Sequence, residues 1–207
     1  MKNLNFYATI YDRLLEPSLK SLKRRVVHLA KKYHSSAVLD LCSGTGMQCR
    51  MLAKKRIQTL GLDMDKRMVF YAKQKAPGIP FICADAGNAP LKNGSISTII
   101  ISFALHDKPP ALRTTIIAEA KRLLSQNGKI IIVDFENPWN KTSRWGHRLV
   151  YLIERMAGSE HFWNGRRFLK SGGLSGFLRE HRLTVIERYA SETSCTAIVV
   201  AEWKDEE

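Results

Sequence analysis

The run Ala37-Val-Leu-Asp-Leu-Cys-Ser-Gly-Thr-Gly46 constrains this chain more than any other. An apolar, β-type segment closes on an acid, Asp40, and then turns through Gly44 and Gly46. A buried strand that ends this way hands the chain to a helix N-terminus, and glycine, lacking a Cβ, lets backbone N–H groups come close to a ligand. A dinucleotide-binding turn carries a third glycine three residues after the second, and that position is Cys49 here. No P-loop lysine follows either. An acid ahead of the glycines would repel a pyrophosphate and can hold an ammonium group, so the expected ligand is zwitterionic or cationic.

The same pattern of an apolar run closing on an acid recurs. Thr59-Leu-Gly-Leu-Asp63-Met64 places a carboxylate about 20 residues beyond the first turn, where it can accept from both ribose hydroxyls. Phe81-Ile-Cys-Ala-Asp85-Ala86 is a third run, Ile96 to His106 a fourth, and Gly128-Lys-Ile-Ile-Ile-Val-Asp134 a fifth. The intervening periodicity predicts helices over 18–32, 110–124 and 172–181, with strands near 97–103 and 129–135. Alternation of this kind gives a parallel sheet with helices on both faces. The closing segments Leu183–Tyr189 and Thr196–Trp203 read as an antiparallel hairpin.

On these residues the chain resembles the class I S-adenosylmethionine-dependent methyltransferases, whose first motif is acid-x-Gly-x-Gly-x-Gly; Cys42 stands in the first glycine place. The likeness runs from about Phe6 to Arg182 and is greatest to the type 11 subgroup, which includes ubiquinone and menaquinone biosynthesis enzymes. It implies an α/β, doubly wound, Rossmann-like domain over 1–207 with a mostly parallel seven-stranded sheet and the terminal hairpin. Its parts would be N-terminal lid helices (1–33), a cofactor-binding core (37–135), a substrate-covering insertion (137–182) and the hairpin (183–203). S-adenosyl-L-methionine is the implied cofactor. Its amino-acid end would lie at Asp40, Cys42, Ser43, Gly44 and Gly46, its ribose at Asp63, and its adenine between Met64 and Asp85 with the Ala86 N–H on a ring nitrogen. Ser102 is counted with these contacts, and the aromatic rings of Tyr7 and Tyr11 would cap the methionine end.

Methyl transfer from a sulfonium needs alignment and exclusion of water more than catalytic apparatus. An acceptor with a removable proton gains from a general base. His106 is the candidate because it lies just past the fourth strand, at the carboxyl edge where open α/β sheets bind ligands; orienting the cofactor or a loop is its competing role. Asp107, His161 and Trp163 are further pocket candidates.

Composition narrows the rest. The 33 Lys and Arg outnumber 19 Asp and Glu, giving a formal charge of +14, which favours anionic partners without bearing on the chemistry. Cys42, Cys49, Cys83 and Cys195 show no metal-ligand spacing, so no metal is expected, and small buried thiols of a reducing cytoplasm are. No apolar run reaches the roughly 18 residues of a membrane span. The expected acceptor is small or lipid-like, and Trp139 and Trp145 with Arg144, Arg148 and Arg155 suggest peripheral contact with an anionic membrane. Two other functions share these features. An RNA methyltransferase would use the basic surface, although Ser102-Phe-Ala-Leu-His106 lacks the Asn/Asp-Pro-Pro-aromatic signature of base amino-methylating enzymes. An NAD-dependent oxidoreductase would share the sheet but not the acid at Asp40.

Overall fold

A computed structural model describes residues 19–33, 35–137, 159–191 and 195–203. Tyr7, Tyr11, Trp139, Trp145, Arg144, Arg148 and Arg155 lie outside the described residues, and so do the lid and membrane-facing roles expected of them.

Seven strands form one sheet in the order β3-β2-β1-β4-β5-β7-β6. They are β1 (Val38–Leu41), β2 (Thr59–Asp63), β3 (Phe81–Cys83), β4 (Ile96–Ser102), β5 (Leu124–Phe135), β6 (Thr184–Ala190) and β7 (Thr196–Glu202). Pairing of β1 with β2 and of β2 with β3 is parallel, whereas β7 runs antiparallel to both β5 and β6. The doubly wound, mostly parallel fold and its terminal hairpin are therefore as expected. The helices are α1 (19–32), α2 (Met47–Ala53), α3 (Lys66–Lys75), α4 (Pro110–Leu123), α5 (Ser159–Lys170) and α6 (Gly173–Glu180).

The chain divides into two compact units, Met1–Ile100 with Arg122–Lys129, and Ile101–Lys121 with Ile130–Glu207. In the first, β1 is buried along its whole length, as a continuous apolar run of a parallel sheet must be. Helix α1 turns Val26, Val27, Leu29 and Ala30 inward and leaves Arg24, Arg25 and Lys31 exposed. Asp65 caps α3, its carboxylate accepting from the Arg67 N–H at 2.8 Å. In the second unit, β7 is buried from Thr196 to Ala201. The outermost strand, β6, exposes Val185 and Ile186, next to a bulge between Val185 and Glu187.

Two features differ from the sequence expectation. Strand β5 begins at Leu124 rather than near 129: Asn127 takes a positive φ of 63°, so Asn127-Gly128 bends the strand instead of ending the helix. The cysteines are not uniformly buried. Cys49 and Cys195 are, but Cys42 is partly exposed and Cys83 fully so; Cys83 closes β3, an edge strand, and turns its thiol to the Met64 carbonyl at 3.6 Å.

Candidate functional site

In the first unit the carboxyl ends of β1, β2 and β3 lie side by side, with Asp40 opposite Gly61 and Asp63 opposite Cys83 in register. The turn after β1 has positive φ at Cys42 (64°), Gly44 (52°) and Gly46 (71°). A Cβ on Gly46 would sit 2.6 Å from the Phe81 ring, whereas one on Gly44 would meet nothing within 4 Å. Gly46 is thus required by packing and Gly44 by backbone conformation, with open space beside it. The turn is fastened to β2: the Gly44 N–H donates to Asp63 Oδ2 at 2.7 Å, and the Ser43 N–H to the Leu62 carbonyl at 2.9 Å. The second Asp63 oxygen accepts from the Asp65 N–H at 2.9 Å. Each carboxylate oxygen can accept more than once, so Asp63 both positions the turn and retains acceptor capacity.

Asp40 is buried, 2% exposed, and its Oδ2 accepts from the Cys49 thiol at 3.5 Å. Burial pushes its pKa up to about 6, with the neighbouring Asp63 charge adding and Lys23 and the Cys49 contact opposing. The Cys49 thiol is pushed up as well, first by its own burial and then by Asp40. Met64 is 67% exposed directly after Asp63. Asp85 is exposed and accepts the Gly87 N–H at 2.8 Å, while Ala86 beside it is buried. The Ser43 hydroxyl is buried with no hydrogen bond, turned toward Gly61, whose added Cβ would lie 2.9 Å from it.

Cys42 holds a conformation that costs an L-residue about 1–2 kcal/mol, and glycine would return about 0.4–1 kcal/mol of that through its freer unfolded chain. We therefore expect Cys42→Gly to raise unfolding free energy by roughly 0.5–1 kcal/mol in a denaturant titration. A decrease would show that the Cys42 side chain contributes more than its strain costs.

The second unit gathers His106 with residues that the sequence did not single out. His106 is 3% exposed, and its Nδ1 lies 2.7 Å from Asp134 Oδ1. Asp134 is fully buried and also accepts the backbone N–H groups of Leu105 (3.0 Å), His106 (3.3 Å) and Phe135 (2.7 Å). Because a carboxylate only accepts, neutral His106 carries its proton on Nδ1 and its lone pair on Nε2. Arg113 clamps the same loop, its Nε donating to the Leu105 carbonyl at 2.8 Å and its Nη2 to the carbonyls of His106 (3.2 Å) and Asn164 (3.1 Å). Burial holds the Arg113 pKa below its ordinary value, partly offset by Asp134, Glu180 and Asp107. The Asn164 amide donates to the Asp107 carbonyl at 3.0 Å.

The Phe135 and His161 rings lie 4.3 and 5.4 Å from that of His106, and His161 Nδ1 is 3.6 Å from Asp107. Trp163 is 60% exposed and stacks edge-on with Phe162 rather than with the histidines. The Ser102 hydroxyl is buried without a partner. Asp134 had a signal in the sequence, since it closes an apolar run just as Asp40 and Asp63 do. Arg113 and Asn164 had none.

Comparison with known proteins decides between the shared-fold alternatives, because a methyltransferase-domain family profile matches residues 38–128. Over that stretch the chain is similar to methyltransferase domains. Among its relatives, a demethylmenaquinone methyltransferase of Thermotoga maritima is 30% identical over 58% of this chain and 52% of its own length. A 2-phytyl-1,4-naphtoquinone methyltransferase of Thermosynechococcus vestitus is 31% identical over 63% of this chain and 62% of its own. The likeness to the quinone-methyltransferase subgroup is thereby borne out. The chain spans about half the length of the demethylmenaquinone methyltransferases it matches. Two solved structures share the fold of this chain. The PH0226 protein of Pyrococcus horikoshii superposes with a TM-score of 0.70 at 17% identity, covering 91% of each chain. The magnesium protoporphyrin IX methyltransferase of Synechocystis, solved with bound S-adenosylhomocysteine, does so with a TM-score of 0.66 at 16% identity over 89% of this chain and 83% of that one.

Proposed function

We propose that this protein transfers a methyl group from S-adenosylmethionine to a small or lipid-like acceptor of the quinone-ring class. The observation that carries the cofactor assignment is the Cys42–Gly46 turn, hydrogen-bonded to the Asp63 carboxylate and open beside Gly44. The residues present fit the group. Buried Asp40 suits the ammonium of the amino-acid end, Asp63 has acceptor capacity for two ribose hydroxyls, and exposed Met64 offers an apolar surface to an adenine face. Asp85 presents a carboxylate to the exocyclic amine. When bound, the cofactor supplies a sulfonium methyl that is displaced in line by a nucleophile.

Naphthoquinone-type rings are the acceptors named for the Thermotoga and Thermosynechococcus relatives, and they supply the acceptor class proposed here. Methylation at a ring carbon or hydroxyl of such an acceptor releases a proton. His106, with its Nε2 lone pair fixed by Asp134, is the group that takes it. Asp134 and Arg113 hold the imidazole and its loop. The membrane half of the reading is also a proposal: among the described residues no helix is long and apolar enough to cross a membrane, and an isoprenoid acceptor requires contact with a bilayer surface.

Methyl-labelled cofactor incubated with separate quinol, phospholipid, RNA and protein fractions tests the proposal. Label should pass to the quinol fraction. Transfer to RNA alone would replace the acceptor class, and reduction of NAD without methyl transfer would remove the activity altogether.

A further inference from the structure

Helices α1 and α2 bound a groove of about 590 Å³ in the first unit, lined by none of the residues assigned to the cofactor. Lys20, Arg24, Val27 and Lys31 line it from α1, and Met47, Arg50, Met51 and Lys54 line it from the α2 side. Intervals of four, three and four residues on α1, and of three, one and three along α2, place each set on one helical face. The floor is apolar: Val27 and Met47 are buried. The rim is cationic, and no Asp or Glu is among the lining residues. Lys20, Arg24, Lys31 and Lys54 are all exposed. Arg50 is partly engaged, donating to the Thr45 carbonyl.

Like charges converging on one concavity repel unless an anion joins them. The +14 charge of the chain is thus partly gathered at one place, with a shape that surface lysines scattered on a solvated face do not make. The chemistry of the lining selects among anions. No Phe, Tyr or Trp lines the groove and its one ring is the His28 imidazole, so it offers little platform on which successive nucleic-acid bases could stack. An aliphatic and thioether floor beneath a basic rim suits a phosphate attached to an apolar body. We propose that the α1–α2 groove is a docking surface for anionic phospholipid headgroups and seats the protein on a negatively charged bilayer. The surface adjoins the cofactor turn through Met47 and Arg50 but shares no residue assigned to the cofactor, and vesicle binding is read separately from methyl transfer.

Vesicle flotation of the full chain at low salt tests this, using phosphatidylcholine alone against a phosphatidylcholine–phosphatidylglycerol mixture. Each cation near an anionic surface is worth about fivefold in binding, so Arg24→Gln with Lys54→Gln should weaken partitioning to the mixed vesicles by roughly 30-fold. The matched control, Lys73→Gln with Lys75→Gln on α3, removes the same charge outside the groove and should weaken it by less than about threefold. Circular dichroism melts of both variants should match the unsubstituted protein. Equal losses in the two variants would overturn the proposal, because charge alone would then explain binding. So would binding to phosphatidylcholine as tight as to the mixture, or an RNA oligonucleotide that displaces the protein from vesicles in a groove-dependent way.

Discussion

Replacing His106 by glutamine should lower turnover about 10²- to 10⁴-fold, the range for loss of a positioned general base, with cofactor affinity nearly unchanged. A loss in the same direction should follow from Asp134→Asn when its NH₂ faces Nδ1, although asparagine keeps the shape. In the protein, one Asp134 oxygen accepts from the Leu105 and His106 N–H groups and the other from the Phe135 N–H and His106 Nδ1. An asparagine must aim its NH₂ at one of those sets. Facing Nδ1, it would move the imidazole proton to Nε2 and remove the lone pair that accepts the substrate proton. Asp134→Ala is a different experiment. It removes the acceptor of three buried backbone N–H groups and of the His106 Nδ1–H, each costing about 1–3 kcal/mol, so it should lose at least about 3 kcal/mol of stability. Aimed either way the NH₂ also meets a backbone N–H, that of Phe135 or those of Leu105 and His106, so a denaturant melt of the asparagine variant accompanies its kinetics. Steady-state kinetics across pH should show an ascending limb in the unsubstituted protein that His106→Gln abolishes, and ¹⁵N shifts should report a protonated Nδ1. Unchanged kcat in both variants would remove His106 from the reaction; a loss confined to cofactor affinity would assign it the orienting role.

The second large effect is at Asp40. Its pKa in the fold, about 6, lies above the ordinary 3.8. The carboxyl is therefore best tolerated below pH 4, where folded and unfolded states both hold the proton. That advantage is lost as pH rises through about 6, because the buried group must then ionise. A shift of about two units corresponds to roughly 3 kcal/mol. Asp40→Asn should accordingly be about neutral at pH 4 and stabilising by up to about 3 kcal/mol above pH 7 in denaturant melts of the ligand-free protein. The same substitution should weaken S-adenosylmethionine, since an amide cannot pair with the ammonium. Stability given up at a binding site in this way is a common trade. Cofactor affinity of the unsubstituted protein should fall about tenfold per pH unit below 6. Affinity flat from pH 5 to 8 would show that Asp40 does not meet the ligand's charge.

Strand ends were the legible part of this fold. Buried parallel strands write themselves as apolar runs, and a carboxylate that closes such a run stands out, which is how Asp40, Asp63 and Asp85 came to light. Asp134 carried the same mark without an assigned role, because its partner His106 lies 28 residues away in sequence and only the fold brings them together. Helix α5 was not legible, since the residues it buries, Asn164, Gly165 and Phe168, include two that do not mark an apolar face, while its Trp163 is exposed. Arg113 was hidden for the opposite reason. A helical arginine is expected at the surface, yet this one is 5% exposed and satisfied by three carbonyls. Asn127-Gly128 carried the signature of a helix stop, and the structure uses it as a bend within β5.

Calorimetric titration of S-adenosylhomocysteine into the unsubstituted protein and into Asp63→Ala tests the central claim most directly. The account predicts one site in the unsubstituted protein, weakened in the variant by roughly 1.5–3 kcal/mol, the worth of hydrogen bonds to a charged group, with no heat from NAD in either. Equal affinity in the two proteins, or NAD binding in place of S-adenosylhomocysteine, would contradict it.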